Sequence, residues 1–232
     1  MKTVLVTGGV RGIGLSIALA FQRKGYRTCV TYSRDESSAE AAKALGLEVY
    51  RADVRMEGEI AALFEKIGAV DVLVNNAGVA LFKQVQDVTA DEFDKLFAVN
   101  MRGAFLCVKY AVPAMVSRQS GLIVNISSVW GEVGGSCESV YSASKGALIA
   151  FTKALASELG YSGVRVNTVS PGVIDTTMNA RLGADDMEAL KQEIPVGRLG
   201  TGEDVALAVL FLEENTYVNG VDIPVNGGFS IV

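Results

Sequence analysis

The sequence contains no histidine, and this absence removes several kinds of catalytic and metal site at once. A chain without imidazole cannot build a Ser-His-Asp triad, a histidine proton shuttle or most protein zinc sites. The three cysteines, Cys29, Cys107 and Cys137, are odd in number, and their spacing matches no zinc-binding motif. Cys29 and Cys107 lie in apolar runs, which predicts buried free thiols. We therefore expect no bound metal.

Long apolar runs and an excess of positive charge are also absent. No apolar run approaches ~18 residues and no signal peptide is recognisable, so we expect a cytoplasmic protein with no membrane-spanning segment. The net charge of −5 argues against nucleic acid or an anionic lipid surface as the main partner. A hydrophobic fraction of 50% in 232 residues predicts one α/β domain, residues 1–232, around one large core.

Short apolar runs alternate with helical patterns along the whole chain. The predicted strands are Thr3–Thr7, Thr28–Tyr32, Glu48–Arg51, Asp71–Asn75, Leu122–Ser127, Val164–Ser170 and Val221–Val225. The predicted helices are Gly14–Lys24, Ala39–Ala44, Glu57–Ile67, Asn100–Arg118, Tyr141–Gly160 and Glu203–Leu212. Because several strands are almost continuously apolar, we expect a parallel, doubly wound sheet with helices on both faces. The polar segment at about 175–202 follows the sixth strand, where a substrate lid would lie.

A glycine-rich turn follows the first predicted strand. Gly8, Gly12 and Gly14 have the spacing G-x-x-x-G-x-G, where the strand gives way to a helix. Glycine at such a turn permits a pyrophosphate to approach the backbone and the helix N-terminus closely. The spacing differs from the general dinucleotide fingerprint, and a plain strand-to-helix turn is the alternative. Its place directly after the first strand favours a dinucleotide site.

The end of the second predicted strand indicates which dinucleotide would bind. Enzymes that use NAD place an acidic residue there to bind the ribose 2′-hydroxyl. This chain has Ser33 and Arg34 there, and no acid before Asp35. Ser33, Arg34 and Arg11 of the glycine turn could bind a 2′-phosphate, although two solvated arginines are the alternative. We therefore expect NADP(H).

Tyr141 is the only one of seven tyrosines with a lysine, Lys145, four residues later. In a helix this spacing places both side chains on one face. A nearby ammonium, together with an oxidised nicotinamide ring, would lower the pKa of the phenol, which could donate a proton to a carbonyl oxygen. Ser128 ends the fifth strand, where its hydroxyl could bind the substrate oxygen or cap the chain. Asn100 could hold a water next to Lys145 or act as an N-cap.

Together these motifs resemble those of the short-chain dehydrogenases/reductases, over the whole length of the chain. The matching segments are TGGVRGIG (7–14), NNAG (75–78), YSASK (141–145) and PGVIDT (171–176), with Asp53, Asn100 and Ser128. The resemblance implies a seven-stranded Rossmann fold, a homotetramer or homodimer, and a catalytic tetrad of Asn100, Ser128, Tyr141 and Lys145. It also implies a set of cofactor contacts besides Tyr141 and Lys145. These are Gly8, Arg11, Gly12, Ile13, Gly14, Ser33, Arg34, Asp53, Val54, Asn76, Ala77, Gly78, Pro171, Gly172, Ile174 and Thr176.

Within that family the chain is most similar to the 3-oxoacyl-[acyl-carrier-protein] reductases of fatty acid biosynthesis. The similarity implies NADPH-dependent reduction of a ketone, with an acyl-carrier protein as partner. Those reductases bind the acidic carrier through arginines, whose positions here correspond to Gln119 and Ser162. Arg118 and Arg165 are close but displaced. An acidic enzyme without those arginines would attract an acidic carrier poorly.

The segment between Ser128 and Tyr141 should line the substrate pocket, which makes Trp130, Glu132 and Glu138 candidate substrate residues. The pattern SSxWGxxGxSCE resembles a bacterial subgroup thought to reduce a 5-aminopentanone group on elongation factor P. A carboxylate would suit a ketone that carries an amine, although glutamates that face water are the alternative. A reductase of some other small ketone or alcohol stays open. A non-catalytic NADP(H)-binding sensor or structural subunit is a further possibility, and the complete tetrad argues against it.

Overall fold

Seven parallel strands form one sheet in the part of the chain that the computed structural model describes, residues 1–176 and 184–231. The strands are β1 (Thr3–Val6), β2 (Arg27–Tyr32), β3 (Glu48–Arg51), β4 (Val72–Asn75), β5 (Gly121–Ile126), β6 (Val164–Pro171) and β7 (Asp222–Val225). Their order is β3-β2-β1-β4-β5-β6-β7. The strands β1 to β3 are added toward one edge of the sheet and β4 to β7 toward the other, so the strand order reverses between β1 and β4. A ligand crevice forms at such a switch point. The predicted doubly wound α/β sheet is confirmed.

Helices cover both faces of this sheet. Among the described residues they are α1 (Gly12–Arg23), α2 (Glu36–Ala44), α3 (Glu57–Ile67), α4 (Ala90–Phe97), α5 (Gly103–Arg118), α6 (Val129–Val133), α7 (Ser139–Leu159), α8 (Ala184–Glu193) and α9 (Gly202–Glu214). A π-helical turn, Ala98–Arg102, joins α4 to α5. No helix in the described ranges is long and apolar enough to cross a bilayer.

Successive residues of the central strands point to opposite, equally buried faces. In β1, Val4 and Val6 pack in the core formed with α1 and α9, whereas Leu5 packs in the core formed with α3, α5 and α7. Side chains alternate along a strand, so a strand covered on both sides must be apolar at every position. This packing explains the unbroken apolar runs of the sequence.

Polar groups join neighbouring strands near their ends. The backbone N–H of Thr3, at the start of β1, donates to Oδ2 of Asp71 at 2.7 Å. At the other end of the sheet, Nδ2 of Asn75 in β4 donates to Oδ1 of Asn125 in β5 at 2.9 Å. Both amides are buried, and a buried polar group needs such a partner because it has lost water.

The helix predicted to begin at Asn100 begins ten positions earlier, so the prediction of its start is wrong. Thr89 caps α4 by a capping box with Glu92, each side chain accepting the other residue's backbone N–H. The helical path then runs through the π turn into α5 without a break. Asn100 therefore lies inside a helical segment and is not an N-cap.

The predicted lid, about 175–202, falls partly outside the described residues, which omit 177–183. Its two ends lie side by side. The backbone N–H of Asp175 donates to the carbonyl of Gly200 at 2.9 Å, and that of Gly200 donates to the carbonyl of Val173 at 2.9 Å. The segment therefore leaves and rejoins the protein at one place, beside the end of β6.

Candidate active site

A cleft of about 160 Å³ opens at the carboxyl ends of the central strands. Most of the predicted site residues converge there. Its lining includes Ile13, Asn76, Gly78, Ser128, Trp130, Glu138, Tyr141, Lys145, Pro171, Gly172, Ile174 and Thr176. Val79, Ala80 and Val173 also line it. They were not predicted, because small apolar residues beside a motif carry no chemical signal of their own.

The glycine turn between β1 and α1 has a backbone that other residues would not tolerate. Gly8 and Gly12 have φ values of 63° and 53°, in the left-handed region that favours glycine. A Cβ added to Gly14 would lie 2.6 Å from the carbonyl oxygen of Gly8. A Cβ on Gly12 would project toward Thr176, 3.7 Å away. The turn thus needs its glycines, and it presents bare backbone opposite the segment after β6.

Asn76 and Thr7 join this turn to the end of β4. Nδ2 of Asn76 donates to the carbonyl oxygens of Thr7 at 2.9 Å and Gly8 at 3.1 Å. The hydroxyl of Thr7 accepts the backbone N–H groups of Asn76 and Ala77, both at 3.0 Å. The two sides of the switch point between β1 and β4 are therefore held together by side chains of the matching motifs.

Tyr141 and Lys145 lie on one face of α7, as their spacing predicts, and both are buried. Nζ of Lys145 donates to the carbonyl oxygen of Ile126 at 2.7 Å and lies 5.8 Å from the centre of the Tyr141 ring. Burial lowers the pKa of Lys145 to about 8, because the ammonium has lost its hydration.

Burial raises the pKa of Tyr141 to about 12. A hydrogen bond with Ser128 lowers this pKa, and the charge of Glu138 raises it, but burial has the largest effect. The predicted lowering supposed an oxidised nicotinamide ring beside the phenol as well as the ammonium, and it stays a prediction. In the protein alone the phenol is desolvated, while Lys145 is bonded to the backbone of β5.

Asn100 connects the chain after β4 to the helix that carries Tyr141. Its Nδ2 donates to the carbonyl of Val79 at 2.9 Å and to the hydroxyl of Ser144 at 3.0 Å. Its Oδ1 accepts the backbone N–H of Val79 at 2.8 Å. A Cβ on Gly78 would lie 3.4 Å from both Oδ1 of Asn100 and Nζ of Lys145, so these two polar atoms border the same small space.

Ser128 both caps a helix and faces Tyr141. Its Oγ accepts the backbone N–H of Trp130 at 3.2 Å, at the start of α6. The neighbouring Ser127 instead donates to the carbonyl of Lys145 at 2.9 Å and so ties β5 to α7. Ser128 therefore caps α6 and lies beside the phenol at once; its binding of the substrate oxygen stays a prediction.

The three predicted substrate residues do not share one place. Trp130 and Glu138 line the cleft, and the Glu138 side chain is buried rather than facing water. Glu132 does not line it, because it turns toward Asp222 of β7. Burial and the charge of Asp222 raise the pKa of Glu132 to about 7.

The residues predicted for the adenosine end lie beyond the glycine turn. Ser33 and Arg34 are exposed. Both carboxylate oxygens of Asp53 accept from Arg55, Oδ1 from Nε at 2.9 Å and Oδ2 from Nη2 at 2.5 Å, and this holds the pKa of Asp53 below its usual range. Val54 is buried. The order of residues in the chain gave no indication that Arg55 would pair with Asp53.

Arg11 pairs with Asp35 through Nη1 and Oδ2, 3.0 Å apart. This pair was not predicted. The sequence did contain a signal, because an aspartate directly before a helix is a frequent N-cap. Asp35 is the N-cap of α2, and this position fixes the direction of its side chain.

The family follows from comparison with known proteins. The family model described as enoyl-(acyl carrier protein) reductase matches residues 8–230. This chain belongs to the short-chain dehydrogenases/reductases. The reductase is 38% identical over 239 aligned residues to the 3-oxoacyl-[acyl-carrier-protein] reductase FabG of Staphylococcus aureus, covering 98% of this chain and 97% of that protein.

Two further relatives cover the reductase almost completely. It is 38% identical over 237 residues to the human 3-oxoacyl-[acyl-carrier-protein] reductase, covering 100% of this chain and 99% of the relative. It is 35% identical over 238 residues to the uncharacterized oxidoreductase YmfI of Bacillus subtilis, with 98% of each chain covered. The reductase is therefore an oxidoreductase that acts on CH–OH or C=O groups and belongs to a family that uses a nicotinamide cofactor.

Proposed function

We propose that this reductase uses NADPH to reduce a ketone to a secondary alcohol, and that the ketone is a 3-oxoacyl group on an acyl-carrier protein. The convergence of Ser128, Tyr141 and Lys145 at one cleft carries the proposal of the reaction. The names of the staphylococcal and human relatives support the proposal of the carrier.

The described residues fit a nicotinamide dinucleotide. The left-handed glycine backbone and the continuous cleft from Ile13 to Lys145 would accept an extended ligand. The turn at the start of α1 would bind its pyrophosphate, and Ile174 and Thr176 the nicotinamide end. When bound, the reduced cofactor supplies a hydride to the carbonyl carbon.

Tyr141 would supply the proton that completes the alcohol. With a pKa of about 12, its phenol is protonated at neutral pH and is ready to donate to the carbonyl oxygen. Ser128 would donate a hydrogen bond to the same oxygen and stabilise its developing negative charge. The ammonium of Lys145 would then favour the phenolate that the proton transfer leaves behind.

We expect the double variant Arg11→Ala, Arg34→Ala to weaken NADPH binding by about tenfold or more and NADH binding by much less. Both arginines border the predicted 2′-position, and only NADPH carries a phosphate there. Titration calorimetry with each dinucleotide measures the two affinities. Arg23→Ala is the matched control, since Arg23 is the last residue of α1, at the opposite end of that helix from Arg11, and it pairs with Glu203. Equal weakening of NADPH and NADH would contradict the phosphate site.

The two arginines nearest the carrier-binding positions donate hydrogen bonds to backbone carbonyls of the protein itself. Arg118 donates to the carbonyl of Val70 at 2.7 Å. Arg165 donates to the carbonyls of Leu212 and Asn215 at 2.7 and 3.0 Å, which satisfies the end of α9. We therefore compare acetoacetyl-acyl-carrier protein with acetoacetyl-coenzyme A as substrates. A higher kcat/KM for the carrier form supports the proposal, and an equal or lower value opposes it.

A second candidate substrate is the 5-aminopentanone group of elongation factor P. The observation that favours it is the buried carboxylate of Glu138 in the cleft wall, beside Tyr141. A cationic amine on the ketone would complement that charge in a site largely removed from water. Turnover of modified elongation factor P, in the absence of turnover of the acyl carrier, would decide for this candidate.

We expect Glu138→Gln to raise KM for an amine-bearing ketone by about tenfold and to leave KM for a neutral ketone nearly unchanged. Loss of the negative charge removes the attraction for the amine but keeps the size of the side chain. Steady-state kinetics with 5-amino-2-pentanone and 2-pentanone measure the difference. Glu132→Gln is the control, because Glu132 lies outside the cleft. A similar change in KM for both ketones would exclude Glu138 as the amine partner.

A further inference from the structure

The predicted 2′-position holds an ion pair. Arg11 donates from Nη1 to Oδ2 of Asp35 at 3.0 Å. Among residues 1–176 and 184–231 the Arg11 side chain makes no second hydrogen bond, so Nε and Nη2 are available to a ligand. A phosphate that reached Arg11 would therefore share the guanidinium with a carboxylate.

Asp35 cannot turn away from Arg11 without a cost to α2. It is the N-cap of that helix, where its Oδ1 accepts the backbone N–H of Ser38 at 3.0 Å. Its Oδ2 also accepts the hydroxyl of Ser38 at 2.9 Å. These bonds to Ser38 hold the pKa of Asp35 below its usual range, so the group is an anion at neutral pH. The negative charge is thus fixed in place by the cap.

A fixed carboxylate beside Arg11 has different effects on the two dinucleotides. It offsets part of the positive charge of Arg11 and repels a 2′-phosphate, which itself carries a negative charge. A ribose 2′-hydroxyl is neutral and is not repelled. The effect is moderate, because the side chains of Arg11 and Asp35 are 61% and 31% exposed and water screens them.

We propose that Asp35 is a specificity-determining residue that reduces the preference of this reductase for NADPH over NADH. It does so by forming an ion pair with Arg11 and by placing a negative charge, which repels the phosphate, next to the 2′-position. This inference rests on the proposed binding of a nicotinamide dinucleotide with Arg11 at the 2′-position. It qualifies the expectation of NADP(H), which was drawn from the absence of an acid before Asp35.

The test is the variant Asp35→Asn, which removes the charge and keeps an oxygen that can accept the N–H of Ser38. Titration calorimetry with NADP⁺ and NAD⁺ measures both affinities without turnover. We expect NADP⁺ to bind about five- to tenfold more tightly and NAD⁺ to change by less than about twofold. The gain should shrink at high ionic strength, because it comes from exposed charges.

Two further variants separate the charge of Asp35 from other causes. Glu40→Gln removes one negative charge from the same helix without touching Arg11, since Glu40 pairs with Lys43, and it should leave the ratio of affinities unchanged. Adding Arg11→Ala to Asp35→Asn should cancel most of the gain for NADP⁺. A gain that survives without Arg11 would overturn the role given to the pair.

The outcomes distinguish this inference from the proposed function. If the unmodified protein binds both dinucleotides and Asp35→Asn leaves their ratio unchanged, or weakens NADP⁺, the proposal for Asp35 is wrong and the proposed cofactor stands. If the unmodified protein binds neither dinucleotide, both proposals are wrong. Thermal unfolding of Asp35→Asn shows whether α2 is still capped, so that a loss of affinity from unfolding is recognised.

Discussion

Replacing Tyr141 by phenylalanine is expected to lower kcat for ketone reduction by about 10²–10⁴-fold, because the variant lacks the proton donor. Phenylalanine retains the ring that packs in the cleft wall, so the fold should be preserved. Binding of the nicotinamide dinucleotide should change little. Loss of NADPH absorbance measures turnover, and quenching of Trp130 fluorescence or calorimetry measures binding.

The matched control for this variant is Tyr161→Phe, which removes a hydroxyl from a fully exposed tyrosine. It should keep the full activity. If Tyr141→Phe retains more than a few per cent of the unmodified rate, another group donates the proton and the assigned role is wrong. If the variant loses dinucleotide binding as well, its effect cannot be assigned to proton transfer.

Replacing Lys145 by alanine is expected to reduce both kcat, by about 10²-fold or more, and the affinity for the dinucleotide. The substitution removes the ammonium beside Tyr141 and leaves the carbonyl of Ile126 without its donor. Lys145→Met keeps the length of the side chain and removes only the charge, so it separates packing from electrostatics. Lys153→Ala, at an exposed position of α7, is the control and should have little effect.

The pKa of Lys145 also predicts how activity depends on pH. Burial places this pKa at about 8, so the ammonium is present below about pH 8 and is lost as the pH rises through that value. Ketone reduction should therefore decline above about pH 8, and Lys145→Met should lack this decline. The pKa of Tyr141, about 12, lies above this range, and its phenol stays protonated throughout. A decline that persists unchanged in Lys145→Met would have to come from another group.

The sheet and most of the cleft were predictable because each depends on chain order. Strands buried on both faces leave unbroken apolar runs, and a glycine turn must directly follow the strand that it serves. The start of α4 was also within reach, since Thr89 and Glu92 have the spacing of a capping box. It was missed although Phe93, Leu96 and Phe97 have the i, i+3, i+4 spacing of an amphipathic helix.

The directions of side chains in short or irregular segments were not predictable. Trp130 and Glu132 are two residues apart, and in a helix that spacing turns them about 200° from each other. Once α6 forms, only Trp130 can face the cleft, and Glu132 must face β7. The sequence alone shows no helix of five residues beside two glycines, so both side chains looked equally suited to the substrate.

The central strands are apolar on both faces, and this has a consequence for how their alignment is chosen during folding. Where one face of a sheet is exposed to solvent, a strand that slips by one residue exposes its apolar side chains, which is strongly unfavourable. Here a slipped β1 would exchange Val4 and Leu5 between two apolar cores and would lose little burial. A slip of β1 would break the contact of Thr3 with Asp71, and a slip between β4 and β5 would break that of Asn75 with Asn125. Correct alignment therefore depends on a few pairs near the strand ends, and one of those ends builds the cleft.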